Sequence, residues 1–361
     1  MEANLDPLLP LFERERAAGR ALALGVLVRT EGSTYRKPGA LILIAANGDY
    51  AGLISGGCLE GDLREHARAV IETGTAHMVA YDTRGADDLV WGLGLGCEGA
   101  MHILLLRAGA DNAWQPLTHL AGALASRTPT AVGVVVETSR ADAALGSVLL
   151  PSAAGPVMAG VPAALERAAR DGHSCWVEDG STKAFVLPLA LPPQILLLGA
   201  GPDTVPLVDF AARLSWRVTL VDHRPAYAVA AHFPAAERVV LARADELSAT
   251  LDLQRFSAAV VMSHHLPSDL QYLRALAASA IPYVGLLGPT KRRERLIADL
   301  GADAQALRGR LHAPVGLPLG GRTPESVALS IVAQVHAFVH AEGEADSAPA
   351  RGGARPGGLA A

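Results

Sequence analysis

The run Gln194-Ile195-Leu196-Leu197-Leu198-Gly199-Ala200-Gly201-Pro202-Asp203-Thr204 decides the fold of the C-terminal half. A short apolar strand leads into a glycine-rich turn, and the turn opens a helix expected over about Asp203 to Leu214. Glycines there permit a tight turn and let backbone N–H groups approach a phosphate at the positive end of the helix. A second strand, Arg217–Val221, ends against Asp222, where a carboxylate would accept hydrogen bonds from a ribose hydroxyl. The third motif position is Thr204 rather than glycine or alanine, which loosens helix–strand packing. Strand and helix keep alternating through Ala258–Met262, a helix around Asp269–Ala278, and Tyr283–Leu287. That alternation predicts a Rossmann-like, doubly wound parallel sheet over residues 193–340. Gly199, Gly201 and Asp222 are its candidate nucleotide-binding residues; an empty fold and some other phosphate-bearing ligand are the alternatives.

Open α/β sheets bind ligands at the carboxyl ends of their strands. Ser263-His264-His265 stands at one such end, and Gly285 to Gly288, followed by Lys291-Arg292-Arg293, at another. His264 suits a proton shuttle near neutral pH, with a histidine bonded to backbone as the alternative. The basic cluster suits an anion or a solvated helix face.

Pro192-Pro193 separates this half from an N-terminal domain over residues 1–190. A helix is expected from Pro7 to Ala18, then strands Ala21–Arg29, Ala40–Ala45 and Tyr50–Ser55, the last two joined by the turn Asn47-Gly48-Asp49. An amphipathic helix, Leu59–Thr73, carries Leu59, Leu63, His66, Val70 and Ile71 on one face and ends at Gly74. Strand Ala76–Asp82, a glycine loop Trp91–Gly99 and strand Met101–Leu106 complete a mixed α/β block. Residues 130–189 repeat the order of 20–108: Gly133 to Val136 matches Gly25 to Val28, Ser147 to Leu150 matches Ala40 to Leu43, and Gly172 matches Gly74. A degenerate duplication and two unrelated strand–helix segments both fit. The tail 341–361, rich in Gly, Ala, Pro and Ser, is expected to be disordered.

The bulk numbers exclude several classes. A chain of 361 residues suggests two or three domains, and 50% hydrophobic with 19% charged residues is a globular composition. A net charge of −5 gives no electrostatic footprint for nucleic acid or an anionic membrane. No basic segment precedes an apolar run at the N-terminus, so no signal peptide is expected. The three cysteines, Cys58, Cys97 and Cys175, form no disulfide framework or zinc spacing. They suit a reducing cytoplasm.

Cys58 follows Gly56-Gly57 and begins a helix whose dipole favours a thiolate. Cys97, in Gly94-Leu95-Gly96-Cys97-Glu98-Gly99, is a second thiol on a glycine loop. Two thiols without further ligand spacing suit a soft metal or sulfur-handling site better than structural zinc, with inert packed thiols as the alternative. Cys175, beside Trp176 and Val177, reads as a small buried hydrophobe. The loop Gly32-Ser33-Thr34-Tyr35-Arg36-Lys37-Pro38-Gly39 offers hydroxyls and cations for a phosphate, with Arg36 as bidentate donor and a plain surface loop as the alternative.

Gly32 to Arg36 with Pro38-Gly39-Ala40, Ile54-Ser55-Gly56-Gly57-Cys58-Leu59-Glu60 and Gly94 to Gly99 together resemble the XdhC/CoxI family of xanthine dehydrogenase accessory factors. So do Leu198 to Gly201, Val221-Asp222-His223-Arg224-Pro225, Met262 to His265, Gly285 to Gly288 and His312 to Gly320 with Arg322 to Glu325. Thr204 and Pro318 depart from the pattern.

The resemblance implies a cytoplasmic, self-associating chaperone, a maturation factor rather than an enzyme. It would bind molybdenum cofactor in its molybdopterin or cytosine-dinucleotide form and protect it while a cysteine desulfurase supplies sulfur. It would then pass the cofactor to an apo molybdenum hydroxylase. On this reading Cys58 and Cys97 face the metal, and Ser33, Arg36, Ser55, Gly56 and Gly57 hold the remainder. Gly199, Gly201, Asp222 and His264 form a far wall, in a pocket expected between the domains. The competing expectation is an NAD(P)-dependent oxidoreductase with His264 as acid/base; the third is an interaction scaffold with incidental thiols.

Overall fold

The computed structural model describes residues 4–84, 99–141, 143–151 and 158–341. The chain divides into two compact units between Leu191 and Pro192.

The first unit begins with α1 (Leu9–Ala17) and the strands β1 (Leu22–Gly32), β2 (Leu41–Ala45) and β3 (Tyr50–Gly52). Next come α2 (Glu60–Thr73), β4 (His77–Asp82), β5 (Gly99–Ala108) and α3 (Leu117–Ser126). The strands form one sheet in the order β3-β2-β1-β5-β4. Its pleat divides β1 between two cores. Leu22, Leu24, Val26 and Val28 face a cluster that also takes side chains of α1 and α3, while Ala23 and Leu27 lie with Leu63, Ala67 and Val70 of α2. Burial on both faces explains why β1 and β2 read as unbroken apolar runs.

A second sheet follows from β6 (Ala131–Thr138), β7 (Val148–Leu149), α4 (Val161–Asp171), β8 (Cys175–Asp179) and β9 (Thr182–Pro188). Its order, β7-β6-β9-β8, is that of β2-β1-β5-β4, and every pairing is antiparallel in both. Register shifts at Leu27/Arg29 in β1 and at Val135/Glu137 in β6. Beside each shift a glycine closes the hairpin: Gly39 donates to Leu27 O at 2.7 Å, and Gly146 to Val135 O at 2.8 Å. Both helices end on a left-handed glycine, Gly74 at φ 74° and Gly172 at φ 72°. Val132, Val134, Phe185 and Leu187 face the core of the first sheet, and Ala131, Val135, Ala184 and Val186 pack under α4. Cys175, on an edge strand, is half-buried against that last cluster.

The second unit contains β10 (Gln194–Leu198), α5 (Val205–Arg213), β11 (Arg217–Asp222), β12 (Arg238–Leu241), α6 (Leu247–Thr250) and β13 (Ala258–Val261). It continues with α7 (Leu266–Ala277), β14 (Tyr283–Leu286), α8 (Thr290–Leu300), β15 (Leu311–His312) and α9 (Pro324–Ala341). The six strands lie in the order β12-β11-β10-β13-β14-β15, all parallel. Leu196, Leu198, Ala259 and Val261 pack with α7 and α8, while Ile195, Leu197, Ala258 and Val260 pack with α5 and α9. The sheet is thus doubly wound, as its alternating sequence predicts. Its strand order reverses between β10 and β13, so the glycine turn and the Ser263-His264-His265 segment share one edge. Helix α7 starts three residues earlier than expected, because Pro267 is tolerated in a first turn.

Candidate functional site

In the first unit, the ends of β1 and β5 bring the Gly32 loop against Gly99, the only residue of its motif among the described ones. Gly32 pairs with Gly99, and a Cβ on Gly99 would stand 2.4 Å from Ser33 O and 2.8 Å from Thr34 Cγ2. Thr83 fastens this crossing, donating through its N–H at 2.9 Å and its hydroxyl at 2.8 Å to Gly99 O. The Tyr35 ring lies 3.7 Å from where a Cβ on Gly56 would stand, so the first loop also adjoins the glycines ahead of Cys58. Ser33, Tyr35, Gly56, Gly57 and Cys58 are exposed, and Arg36 is half-buried. Cys97 lies outside the described residues.

Glu60 organises the Cys58 loop. Its carboxylate is 2% exposed, yet it carries a charge, so it requires donors. They come from the loop itself: the amides of Ile54 at 3.1 Å, Ser55 at 2.9 Å and Gly57 at 3.0 Å, together with the Ser55 hydroxyl. Burial pushes the Glu60 carboxyl up, but the Ser55 hydroxyl and the Ser55 and Ile54 amides outweigh it and hold it below its ordinary value. Ser55 Oγ in turn receives the Leu59 N–H at 2.8 Å. Gly56 and Gly57 sit at φ 82° and 111°, a path that side chains rarely adopt, and this throws Cys58 outward.

Two expectations change here. Ser55 is a structural hydroxyl, engaged on both sides. The Gly57 amide, expected to face a ligand, is held by Glu60; among the described residues the amides of Gly56 and Cys58 make no hydrogen bond. The arrangement therefore offers an exposed thiol, two N–H groups and an aromatic face on a loop braced from below. Among the described residues no group of three or more His, Cys, Asp and Glu side chains is placed to hold a metal ion.

In the second unit, Gly199 has φ 125°, and a Cβ there would stand 2.5 Å from Met262 O, so β10 and β13 approach closely at the edge. Thr204 is fully buried, and its hydroxyl donates to Gly199 O at 3.1 Å; the bulkier third residue ties the turn instead of loosening it. Asp222 does not face outward as a ribose acceptor. Its carboxylate receives the Ala200 amide at 2.8 Å, the Arg224 amide at 2.9 Å, and the Arg224 guanidinium through Nε at 2.9 Å and Nη2 at 2.7 Å. Burial raises its pKa, and the Arg224 fork with these amides more than reverses that. His264, at φ 58°, lies 2.8 Å through Nε2 from Asp203 Oδ2, an ion pair when protonated rather than a backbone bond. The basic run after Gly288 divides: Arg292 holds buried Asp269 at 2.6 Å, and Arg293 donates to Ala313 O at 2.9 Å.

The sequence suggests no role for Thr83 or Asp269, and shows Glu60 and Arg224 only as members of their motifs. A glutamate two residues beyond the cysteine, at a helix start, signals a loop anchor. The spacing Asp222-x-Arg224 signals a carboxylate that brings its own counter-ion.

The family profile of the XdhC and CoxI family matches residues 15–82, and that of the XdhC Rossmann domain matches residues 195–335. The chain is 31% identical over 314 residues to a protein of Bacillus subtilis (strain 168) described as a probable xanthine dehydrogenase subunit, covering 86% of this chain and 91% of that protein. It is 23% identical over 333 residues to the molybdenum cofactor insertion chaperone PaoD of Escherichia coli (strain K12), covering 91% and 87% of the two. A crystal structure of a xanthine dehydrogenase from Bacillus halodurans superposes with a TM-score of 0.77 at 28% identity, covering 96% of this chain and 98% of that one. With two family profiles in chain order and a relative matched over nearly its whole length, this chain belongs to the XdhC and CoxI family.

Proposed function

We propose that this protein holds molybdenum cofactor on the Cys58 loop, shields it while a cysteine desulfurase supplies sulfur, and inserts it into a xanthine dehydrogenase-type hydroxylase. The supporting observation is the loop itself, an exposed thiol on a glycine turn fixed by buried Glu60, beside Tyr35 and the Ser33–Arg36 segment. The cofactor is cargo here, a soft metal on a dithiolene with a phosphate at the far end. A thiol and open amides suit the first, and Arg36 suits the second. The name of PaoD, an insertion chaperone, points the same way. The assignment extends to a second thiol at Cys97, a homodimer and a cytoplasmic location.

The oxidoreductase reading requires Asp222 to receive a ribose diol, and that carboxylate already receives four donors. Reconstitution of an apo-hydroxylase with released cofactor tests the choice. The wild type is expected to raise the recovered hydroxylase activity and Cys58→Ser to lose that gain. Equal gain with both Cys58→Ser and Cys97→Ser would mean a scaffold whose thiols are incidental.

A further inference from the structure

We infer that the strand-end crevice of the second unit is a phosphate site read by two braced arginines, Arg224 and Arg292, and not a cradle for a ribose diol on the glycine turn. This inference stands apart from the thiol reading, because its ligand need carry no molybdenum.

The glycine turn has lost part of the means by which such turns hold diphosphates. The amide of Ala200 is taken by Asp222, Pro202 has no N–H, and Asp203 places a negative charge in the first turn of the helix, paired there with His264. A phosphate approaching that helix start would meet a carboxylate, which opposes the usual attraction of a helix N-terminus for anions.

The neighbouring strand ends compensate with arginine. Arg224 grips Asp222 through Nε and Nη2, and its guanidinium lies over the Tyr227 ring, 3.8 Å from the centroid. The fork is thus fixed on one edge and one face, and its side chain remains 33% exposed. Arg292 repeats the device on Asp269, through Nε at 3.2 Å and Nη2 at 2.6 Å, with its side chain 22% exposed. Gly288 makes room for it, since a Cβ at that position, where φ is 137°, would stand 2.7 Å from Arg292 Cδ. Each carboxylate orients its arginine from beneath, and among the described residues Nη1 of each makes no hydrogen bond and is open to an oxygen anion. A planar guanidinium held in this way loses little freedom on binding phosphate.

A second, independent feature joins the two pairs. Tyr272, on α7, is fully buried, and its hydroxyl has no hydrogen-bond partner among the described residues, although the charges of Asp222 and Asp269 both bear on it. Burial and those two charges keep the phenol protonated, so it stands as a donor lacking an acceptor. His223 Nδ1, an enclosed atom of a half-buried side chain, makes no hydrogen bond and lies 3.6 Å from Asp222 Oδ1, an ion pair when protonated. Buried polar atoms in folded proteins find partners, in water or in a ligand. Both atoms are enclosed, so neither meets the phosphate itself; Tyr272 instead shows that the two ion pairs bear on one centre.

The test is calorimetric titration of the full chain with inorganic pyrophosphate at low ionic strength, with adenosine, a ribose diol without phosphate, as competitor. Saturable pyrophosphate binding is expected, unaffected by adenosine, and weakened about tenfold or more in Arg224→Lys and Arg292→Lys, which keep the charge and lose the fork. Tyr227→Ala, which leaves both ion pairs in place, is expected to weaken it severalfold and serves if a lysine variant melts early. No binding by the wild type, displacement by adenosine, or unchanged binding in all folded variants would overturn the inference. Molybdenum retention by the same variants, read separately, reports on the thiol site alone.

Discussion

Glu60 Oε2 accepts the Gly57 amide at 3.0 Å, so the carboxylate that opens α2 reaches back to fix the residue just ahead of Cys58. A buried charge satisfied by backbone amides of a single turn makes that turn one rigid piece. The exposure of Cys58 is then a property built into the chain rather than an accident of a loose loop.

Glu60→Gln keeps the size of the side chain and replaces one acceptor oxygen with a donor that faces N–H and O–H groups. The expected loss is about 1.5–3 kcal/mol, the range for a hydrogen-bonded buried charge. It should appear in a urea titration as a lower midpoint at unchanged slope. In a Cys97→Ser background the same variant should speed modification of Cys58 by a thiol reagent. Unchanged stability and unchanged rate would show that Glu60 does not brace the loop.

Glu60 and Asp222 both ionise below their ordinary values of 4.5 and 3.8. A carboxyl whose folded pKa is depressed contributes stability above its unfolded value and loses it as the pH falls through the folded one. The melting temperature is therefore expected to be flat near neutrality and to fall as the pH drops below 4.5 and then 3.8. Glu60→Gln should flatten part of that fall. A melting temperature that rises on acidification would contradict both assignments.

Gly199→Ala forces a Cβ to within 2.5 Å of Met262 O at a φ of 125°. Backbone strain of this kind costs about 1–3 kcal/mol, and the clash adds to it. Thermal unfolding should show the second unit melting early. Gly57→Ala has a positive φ but nothing near its Cβ, so it should cost less. Equal effects would mean that the close approach of β10 and β13 does not matter.

Arg292→Met leaves Asp269, fully buried, without its counter-ion. Removing one partner of a buried pair costs about 3–5 kcal/mol. Asp269→Asn with Arg292→Met should recover part of that loss, because no uncompensated charge remains. A double variant no more stable than the single one would mean that packing, not charge, sets the penalty.

The fold was legible where one periodicity ruled a segment. The runs Gln194–Leu198 and Ala258–Val261 are buried on both faces, so their sequence is continuous apolar and their helices alternate with them. Strand β12 escaped reading because Arg238–Leu241 is a four-residue edge strand with its first and last residues exposed, too short to show a period. The matched stretches Gly25 to Val28 and Gly133 to Val136 fall on β1 and β6, central strands of two sheets with one order; we propose that a duplication produced them. The site was legible only as far as composition goes. Gly56, Gly57 and Cys58 declare an exposed turn, whereas the partners of Asp222, Ser55 and His264 depend on which atoms the fold brings within hydrogen-bonding reach of one another. No spacing in the chain announces that Asp222 turns to Arg224 rather than outward.

Anaerobic binding of freshly released cofactor to the purified protein shows whether Cys58 and its loop receive molybdenum cofactor. Wild type and Cys58→Ser are compared, with molybdenum quantified after desalting. Retention by the wild type and loss in the variant are expected, with both proteins melting alike. Equal retention by the two would place the cofactor away from Cys58, and no retention by either would contradict the carrier function itself.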